Sequence, residues 1–288
     1  MTEINNKNDI IERNILLIGR TGNGKSTLAN VLTETNEFRE SSSSISETKS
    51  IQVGKFKSQL NGKEIIYKVI DTIGIGDTKL NDKQVLIKIA EVSQELNNGI
   101  CQILFLTNGR FTSEEIEAYN VMKEVLFGEE ITKYITIVRT NFDKFEHEES
   151  CKEDKQRIHD ENPTLSEILK NCNGIIYVSN PSVDVNQRKS AIDAAIELRG
   201  VSRVIIINHL TYNCGNYHPT KLNELSERVK SYMTEKEILE KRLEKEIEEK
   251  ETIKGLLKQL EDKLQEATKE ALEWKHQIEQ NNKGCAIL

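Results

Sequence analysis

The stretch NILLIGRTGNGKSTLANVL, residues 14–32, decides the reading of this chain. An apolar run, Ile15–Ile18, leads straight into Gly19, Arg20, Thr21, Gly22, Asn23, Gly24, Lys25 and Ser26, and an apolar helical pattern opens at Thr27. This is the G-x-x-x-x-G-K-[ST] spacing of a phosphate-binding loop, set between a strand and a helix as its mechanism requires. The glycines let successive backbone N–H groups turn towards phosphate, and the helix N-terminus adds positive potential. Lys25 is placed to neutralise the β- and γ-phosphates, and Ser26 to offer its hydroxyl to Mg²⁺. A chance glycine-rich turn is the competing reading, and it gives no reason for the flanking strand and helix.

Outward from this loop, short apolar runs alternate with helical patterns. The runs are Ile15–Gly19, Ile65–Ile70, Ile103–Leu106, Tyr134–Val138 and Ile175–Val178, with 51–60 as a further strand. Helical patterns lie near Lys25–Thr35, Lys83–Asn97, Ser113–Phe127, Leu165–Cys172 and Asp184–Leu198. Such alternation predicts an α/β domain with a mostly parallel sheet and helices on both faces. Residues 204–210 (VIIINHL) read equally as a strand or as buried helix.

Three strand ends carry further chemistry. Asp71-Thr-Ile-Gly74 is a D-x-x-G motif: Asp71 would hold Mg²⁺ through water, and the Gly74 amide would meet a γ-phosphate. Thr140-Asn-Phe-Asp143 follows the strand YITIV. A carboxylate there accepts two hydrogen bonds from the guanine N1–H and N2 amine, a pair that adenine cannot offer, so Asp143 is the candidate base reader. Thr140 stands where an asparagine is usual, and the competing role for Asp143 is a cap on the next segment. Asn180 ends the strand IIYV and either contacts the base or turns the chain before Pro181. Between the first two motifs lies the Ser/Thr-rich stretch RESSSSISETKS (39–50), where Thr48 is the candidate to close onto Mg²⁺ and the γ-phosphate.

With Asn108-Gly-Arg110-Phe-Thr112-Ser-Glu-Glu115 added, the chain resembles the immunity-associated GTPases, called IMAP proteins in animals and IAN proteins in plants. The segments GRTGNGKSTLAN, DTIGIGD and above all GRFTSEE carry the likeness, over about residues 12–210. The resemblance implies a Ras-like domain with family additions, micromolar-type binding of GTP or GDP with Mg²⁺, nucleotide-dependent dimers and work on membranes. It also implies base motifs that depart from N-K-x-D, as TNFD does. Ile75 sits just after the D-x-x-G glycine, where Ras-like enzymes use a glutamine to orient water. Slow hydrolysis is therefore expected unless another group helps. Arg110, supplied across a dimer, is the candidate; a structural arginine is its alternative role.

The segment around Cys214–Pro219 marks a boundary, beyond which Glu, Lys, Leu and Gln dominate. From Leu222 to Ile278 one seam alternating three and four residues runs without a slip, broken only by Lys236, Glu246 and Lys250. That is about eight heptads, which argues for a coiled coil. A lone helix of that span would reach about 85 Å, too long for one small domain to cover. The chain ends Cys285-Ala286-Ile287-Leu288, a C-a-a-X pattern whose leucine favours geranylgeranyl on Cys285.

Composition narrows the alternatives. The chain has 288 residues, 36% hydrophobic and 30% charged, with net charge −7 and no basic patch of the kind nucleic acid demands. Five cysteines, odd in number and widely spaced, argue against a disulfide framework or zinc site and for a reducing compartment. Residues 1–20 lack the features of a secretory signal, and no apolar run approaches the ~20 residues of a membrane span. The expected organisation is a GTPase domain over 1–218, a coiled-coil extension over 219–280 and a flexible tail over 281–288. The expected function is a GTP-dependent switch or scaffold, cytoplasmic, self-associating and attached to a membrane by lipid. Its rivals are a GTP-bound scaffold without turnover and a P-loop ATPase or nucleoside kinase.

Overall fold

The computed structural model describes residues 11–40, 51–74, 82–94, 96, 98–109, 111–184, 186–215, 217–218 and 225–284. Thr48, Ile75, Arg110 and Cys285 lie outside the described residues. The chain divides into two compact units, Met1–Tyr232 and Met233–Leu288.

The first unit is built on a six-stranded sheet of order β2-β3-β1-β4-β5-β6. Its strands are β1 (Ile11–Gly19), β2 (Gln52–Leu60), β3 (Lys63–Asp71), β4 (Gln102–Asn108), β5 (Ile135–Thr140) and β6 (Ile175–Tyr177). Only β2 and β3 pair antiparallel; the other pairs are parallel. The reason for that exception is local. Asn61 and Gly62 both have positive φ, 51° and 78°, which lets a two-residue Asn-Gly turn fold the chain straight back. β2 alternates exposed with partly buried residues as an edge strand should, Phe56 alone being buried, whereas β1 is fully buried from Asn14 to Gly19 and β4 from Gln102 to Thr107.

Helices α1 (Lys25–Thr33), α2 (Asp82–Gln94), α3 (Ser113–Val121), α4 (Glu148–Glu161), α5 (Pro163–Asn171) and α6 (Lys189–Asn213) connect or follow the strands. α3 continues through a wider turn at Met122–Phe127 and a tight one at Glu129–Tyr134. The core joins Ile15, Leu17, Leu28, Leu32, Tyr67, Leu104 and Leu106 with Ile206 and Leu210 of α6. Residues 204–210 are therefore the buried stretch of a long helix and not a strand. α4 escapes sequence periodicity because it carries almost no apolar residues. It is held from β5, where Arg139 donates two hydrogen bonds to Asp154 at 3.1 and 2.9 Å.

β1 lies between β3 and β4, so the connections leave it in opposite directions and open a crevice at its C-terminal end. The register sets Leu17 beside Asp71, Gly19 beside Leu106 and Asn108 beside Thr140. The phosphate loop, Asp71 and Thr140 are thus gathered at the C-terminal ends of neighbouring strands.

Two expectations are corrected. Cys101 and Cys214 are joined by a disulfide, with Cα atoms 5.3 Å apart across a sequence separation of 113. Odd number and wide spacing argued against a disulfide framework, but the fold returns the end of α6 to the start of β4 and forms this one bridge among the described residues. Tyr217 then pairs with Ile100 in the same place. The first unit also runs past the expected boundary at 218. Helix α7 (Leu225–Gly284) begins inside it: Val229 is fully buried, and Arg228 donates to the carbonyl of Leu126.

The second unit is the remainder of α7. Residues 237–265 are exposed throughout wherever described, including Leu239, Leu243, Ile253, Leu257, Leu260 and Leu264. Among the described residues, no helix is long and apolar enough to cross a membrane.

Candidate nucleotide site

The loop after β1 is shaped by its glycines. Gly22 and Gly24 have φ of 86° and 83°, where a side chain would be strained, and Gly24 is the residue that opens α1. Gly19 serves a different need, since a Cβ there would strike the Leu106 carbonyl of the neighbouring strand. Lys25 is only 6% exposed, and its Nζ donates to the Gly19 and Arg20 carbonyls, each at 3.0 Å. The ammonium is thereby pinned over the loop from which it would meet phosphate.

Ser26 Oγ donates to Asp71 Oδ2 at 2.6 Å. Asp71 is fully buried, its other oxygen Oδ1 has no hydrogen-bond partner, and burial pushes its carboxyl above the usual range. Thr21 Oγ1 is likewise buried without a partner. It lies against Gly74, where a Cβ would collide with Thr21. A buried carboxylate with one idle oxygen beside a serine hydroxyl is a hard-oxygen donor set, suited to a hydrated Mg²⁺. Among the described residues no cluster of three His, Cys, Asp or Glu forms, so an ion here would complete its shell from phosphate and water.

The residue that the sequence reading missed is Glu115. It is 2% exposed and accepts from three directions. Oε1 takes the Asn23 side-chain amide at 2.7 Å. Oε2 takes the Thr112 backbone N–H at 2.9 Å and the Thr107 hydroxyl at 3.4 Å. Thr112 returns a side-chain acceptor to the Glu115 N–H, closing a capping box at the start of α3. Asn23 also donates to the Leu106 carbonyl at 2.8 Å, and Arg20 to the Thr112 hydroxyl at 3.3 Å. The T-x-x-E spacing was visible in the sequence; that its glutamate reaches the phosphate loop was not.

Thr140 works in the same assembly. Its buried hydroxyl contacts the Asn23 and Thr107 carbonyls, each at 3.1 Å. It holds the phosphate loop to β4, a duty that needs one donor and explains why threonine suffices there. Asp143 is exposed in the turn after β5, next to Asn141 with φ of 52°. The Phe142 N–H donates to the Val178 carbonyl at 3.2 Å, tying this turn to the loop that carries Asn180. Asn180 Oδ1 is buried without a partner. Below it, the Ser202 hydroxyl of α6 bridges both backbone groups of Ser179, at 3.1 and 2.9 Å.

A family model described as the AIG1 family matches residues 13–236. Immune-associated nucleotide-binding protein 12 of Arabidopsis thaliana is 27% identical over 232 residues, which cover 79% of this chain and 56% of that protein. Immune-associated nucleotide-binding protein 13 of the same plant is 29% identical over 191 residues, 65% of this chain and 54% of that protein. The chain thus spans little more than half the length of these relatives. Among solved structures, Toc33 from Arabidopsis thaliana in complex with Mg²⁺ and GMPPNP is 18% identical. Its TM-score is 0.47, with 73% of this chain and 89% of that chain covered. A variant of Aquifex aeolicus Era bound to GDP·AlF₄⁻ is 16% identical with a TM-score of 0.47, covering 73% and 60%.

Proposed function

Because the chain belongs to the AIG1 family, we propose that it binds GTP and GDP with Mg²⁺ and acts as a GTP-dependent switch or scaffold. The observation that carries this reading is the Ser26–Asp71 pair, with an idle buried carboxylate oxygen, set beside a phosphate loop closed around Lys25. The similar proteins of Arabidopsis thaliana are named as nucleotide-binding proteins, which supports the same reading. In this reading Gly22, Asn23 and Gly24 present backbone N–H groups to phosphate, and Lys25 balances charge that moves to the β–γ bridge. Ser26 and Asp71 hold Mg²⁺, which when bound draws electron density from the phosphates. Asp143 reads guanine, and Asn180 contacts the ring.

Hydrolysis is slow in this proposal because Ile75 has no group to orient water. Thr48 orders the preceding loop on GTP, and Arg110 acts across a dimer. The protein self-associates through the GTPase domain and the α7 seam, and Cys285 carries a lipid. A single prenyl chain anchors only marginally, so pairing two tails in one particle strengthens attachment. Ile75 also favours a second reading, in which nucleotide is a structural ligand that is never turned over.

Competition of labelled GTP by excess ATP tests the base: GTP displaces the label and ATP does not. Displacement by both would return the chain to the ATPase or kinase class. Phosphate release per molecule, followed against protein concentration, separates the two GTP readings. A specific rate that climbs with concentration and is lost in Arg110→Ala supports the dimer-stimulated switch. A rate of zero at every concentration supports the scaffold.

A further inference from the structure

We propose that the exposed seam of α7 pairs with the same seam of a second copy in antiparallel orientation, in the register that sets Glu246 of one chain against Lys250 of the other. The inference deepens the self-association proposed above by giving it a direction and a register. It starts from the three charged positions that interrupt an otherwise apolar seam: Lys236, Glu246 and Lys250. In seam order Lys236 and Lys250 occupy a positions and Glu246 a d position.

A parallel, in-register pair would place each of these residues against its own copy. Lys236 would face lysine, Glu246 glutamate and Lys250 lysine: three like-charge layers in the middle of the seam, each unfavourable. An antiparallel pair instead brings a positions against d positions. With Glu246 opposite Lys250, two-fold symmetry forms this contact twice. The layers on either side are then wholly apolar, Leu243 against Ile253 and Leu239 against Leu257. All of these residues are exposed. Ile247, 50% exposed and otherwise off the seam, falls on the two-fold axis beside its own copy.

The charges on one flank agree with this register: Glu240 meets Lys254, and two-fold symmetry forms that contact twice. On the other flank Arg242 lies level with Leu256 and Glu249 with its own copy. Lys236 falls opposite Leu260, where its methylene stem covers the leucine and its ammonium reaches water. The competing antiparallel register, two heptads along, would match Lys236 with Glu246. It also requires Val229 in the seam, and Val229 is already fully buried within the first unit. Shifts of one heptad either way from the proposed register leave every charge facing an apolar residue. Burial and charge together select one alignment.

The test is charge reversal in the full-length chain, without nucleotide, with self-association followed by sedimentation equilibrium and helicity by circular dichroism. Glu246→Lys, and separately Lys250→Glu, each replace two attractive contacts by two repulsive ones and should weaken self-association about tenfold. The double reversal should restore it. Glu248→Lys, on the opposite face of the helix, should leave it unchanged. Equal self-association in both single reversals and the double would overturn the antiparallel register. A wild-type chain that stays monomeric at all concentrations would overturn the pairing itself. Because no nucleotide is present, neither result touches the assignment of the GTP site.

Discussion

At the residue scale, the phosphate loop is held from outside as well as by its own glycines. Glu115 gathers Asn23, Thr107 and the Thr112 N–H on one carboxylate, so its removal strands several buried donors at once. Glu115→Ala should therefore cost about 2 kcal/mol, or roughly 4–8 °C in melting temperature for a domain of this size. It should also weaken nucleotide binding, whereas Glu114→Ala, at an exposed neighbour, should do neither. Thermal melts and nucleotide titrations of the two variants check this, and equal behaviour would leave the clamp without energetic weight. Without nucleotide and Mg²⁺, Asp71 is a cost to stability, being a buried carboxylate with one oxygen that has no hydrogen-bond partner. Asp71→Asn should raise the melting temperature of the nucleotide-free protein while abolishing any effect of Mg²⁺ on nucleotide affinity. Asp143→Asn exchanges the guanine-reading acceptor for an amide. It should weaken GTP and improve xanthosine triphosphate, and unchanged affinities for both would remove Asp143 from the base site.

At the element scale, α6 does most to hold the site's far side. Its Ser202 fixes the loop of Asn180, and its Ile206 and Leu210 complete the core under β1 and β4. The same helix carries His209, whose Nε2 lies 2.7 Å from the Thr136 hydroxyl of β5. Burial lowers the pKa of this imidazole below its ordinary 6.5. The unfolded chain therefore binds the proton more readily, and stability falls as pH drops below 6.5 until the folded-state value is reached. Denaturant midpoints across pH 7 to 5 should decline, and His209→Gln, which keeps a partner for Thr136, should flatten that decline. An identical slope in the variant would assign the acid sensitivity elsewhere. Residues 204–210 were ambiguous in the sequence for a plain reason. Val204 to Ile207 are apolar without a break, and a run that short shows neither the period of a half-buried strand nor that of an amphipathic helix. α4 was missed for the opposite reason, having too few apolar residues to show any period.

At the scale of the whole molecule, the chain joins a sheet-based unit to a helical unit in which Ile238, Leu243, Ile253, Leu257, Leu260 and Leu264 are exposed. Self-association should therefore have two separable parts. Leu257→Pro with Leu264→Pro should abolish the nucleotide-independent part and spare binding of GTP, as paired sedimentation and titration would show. Loss of GTP binding in that variant would mean that the helix supports the site, against the separation drawn here. The phosphate loop, the D-x-x-G strand end, the α/β alternation and the long helix were all legible in the sequence. Each is a contiguous stretch whose backbone geometry follows from its own glycines, charges and period. The Asn61-Gly62 hairpin belongs with them, although nothing but the structure drew attention to it. The tertiary structure alone decided what depends on residues far apart in the chain. Glu115 reaches Asn23 across 92 positions, Thr140 reaches the same loop across 117, and Cys101 meets Cys214 across 113. No local pattern encodes such meetings, because strand order and register bring them about. The boundary at Tyr232 rather than 218 has the same origin: Val229 continues the helical seam in sequence, and only packing turns it inward.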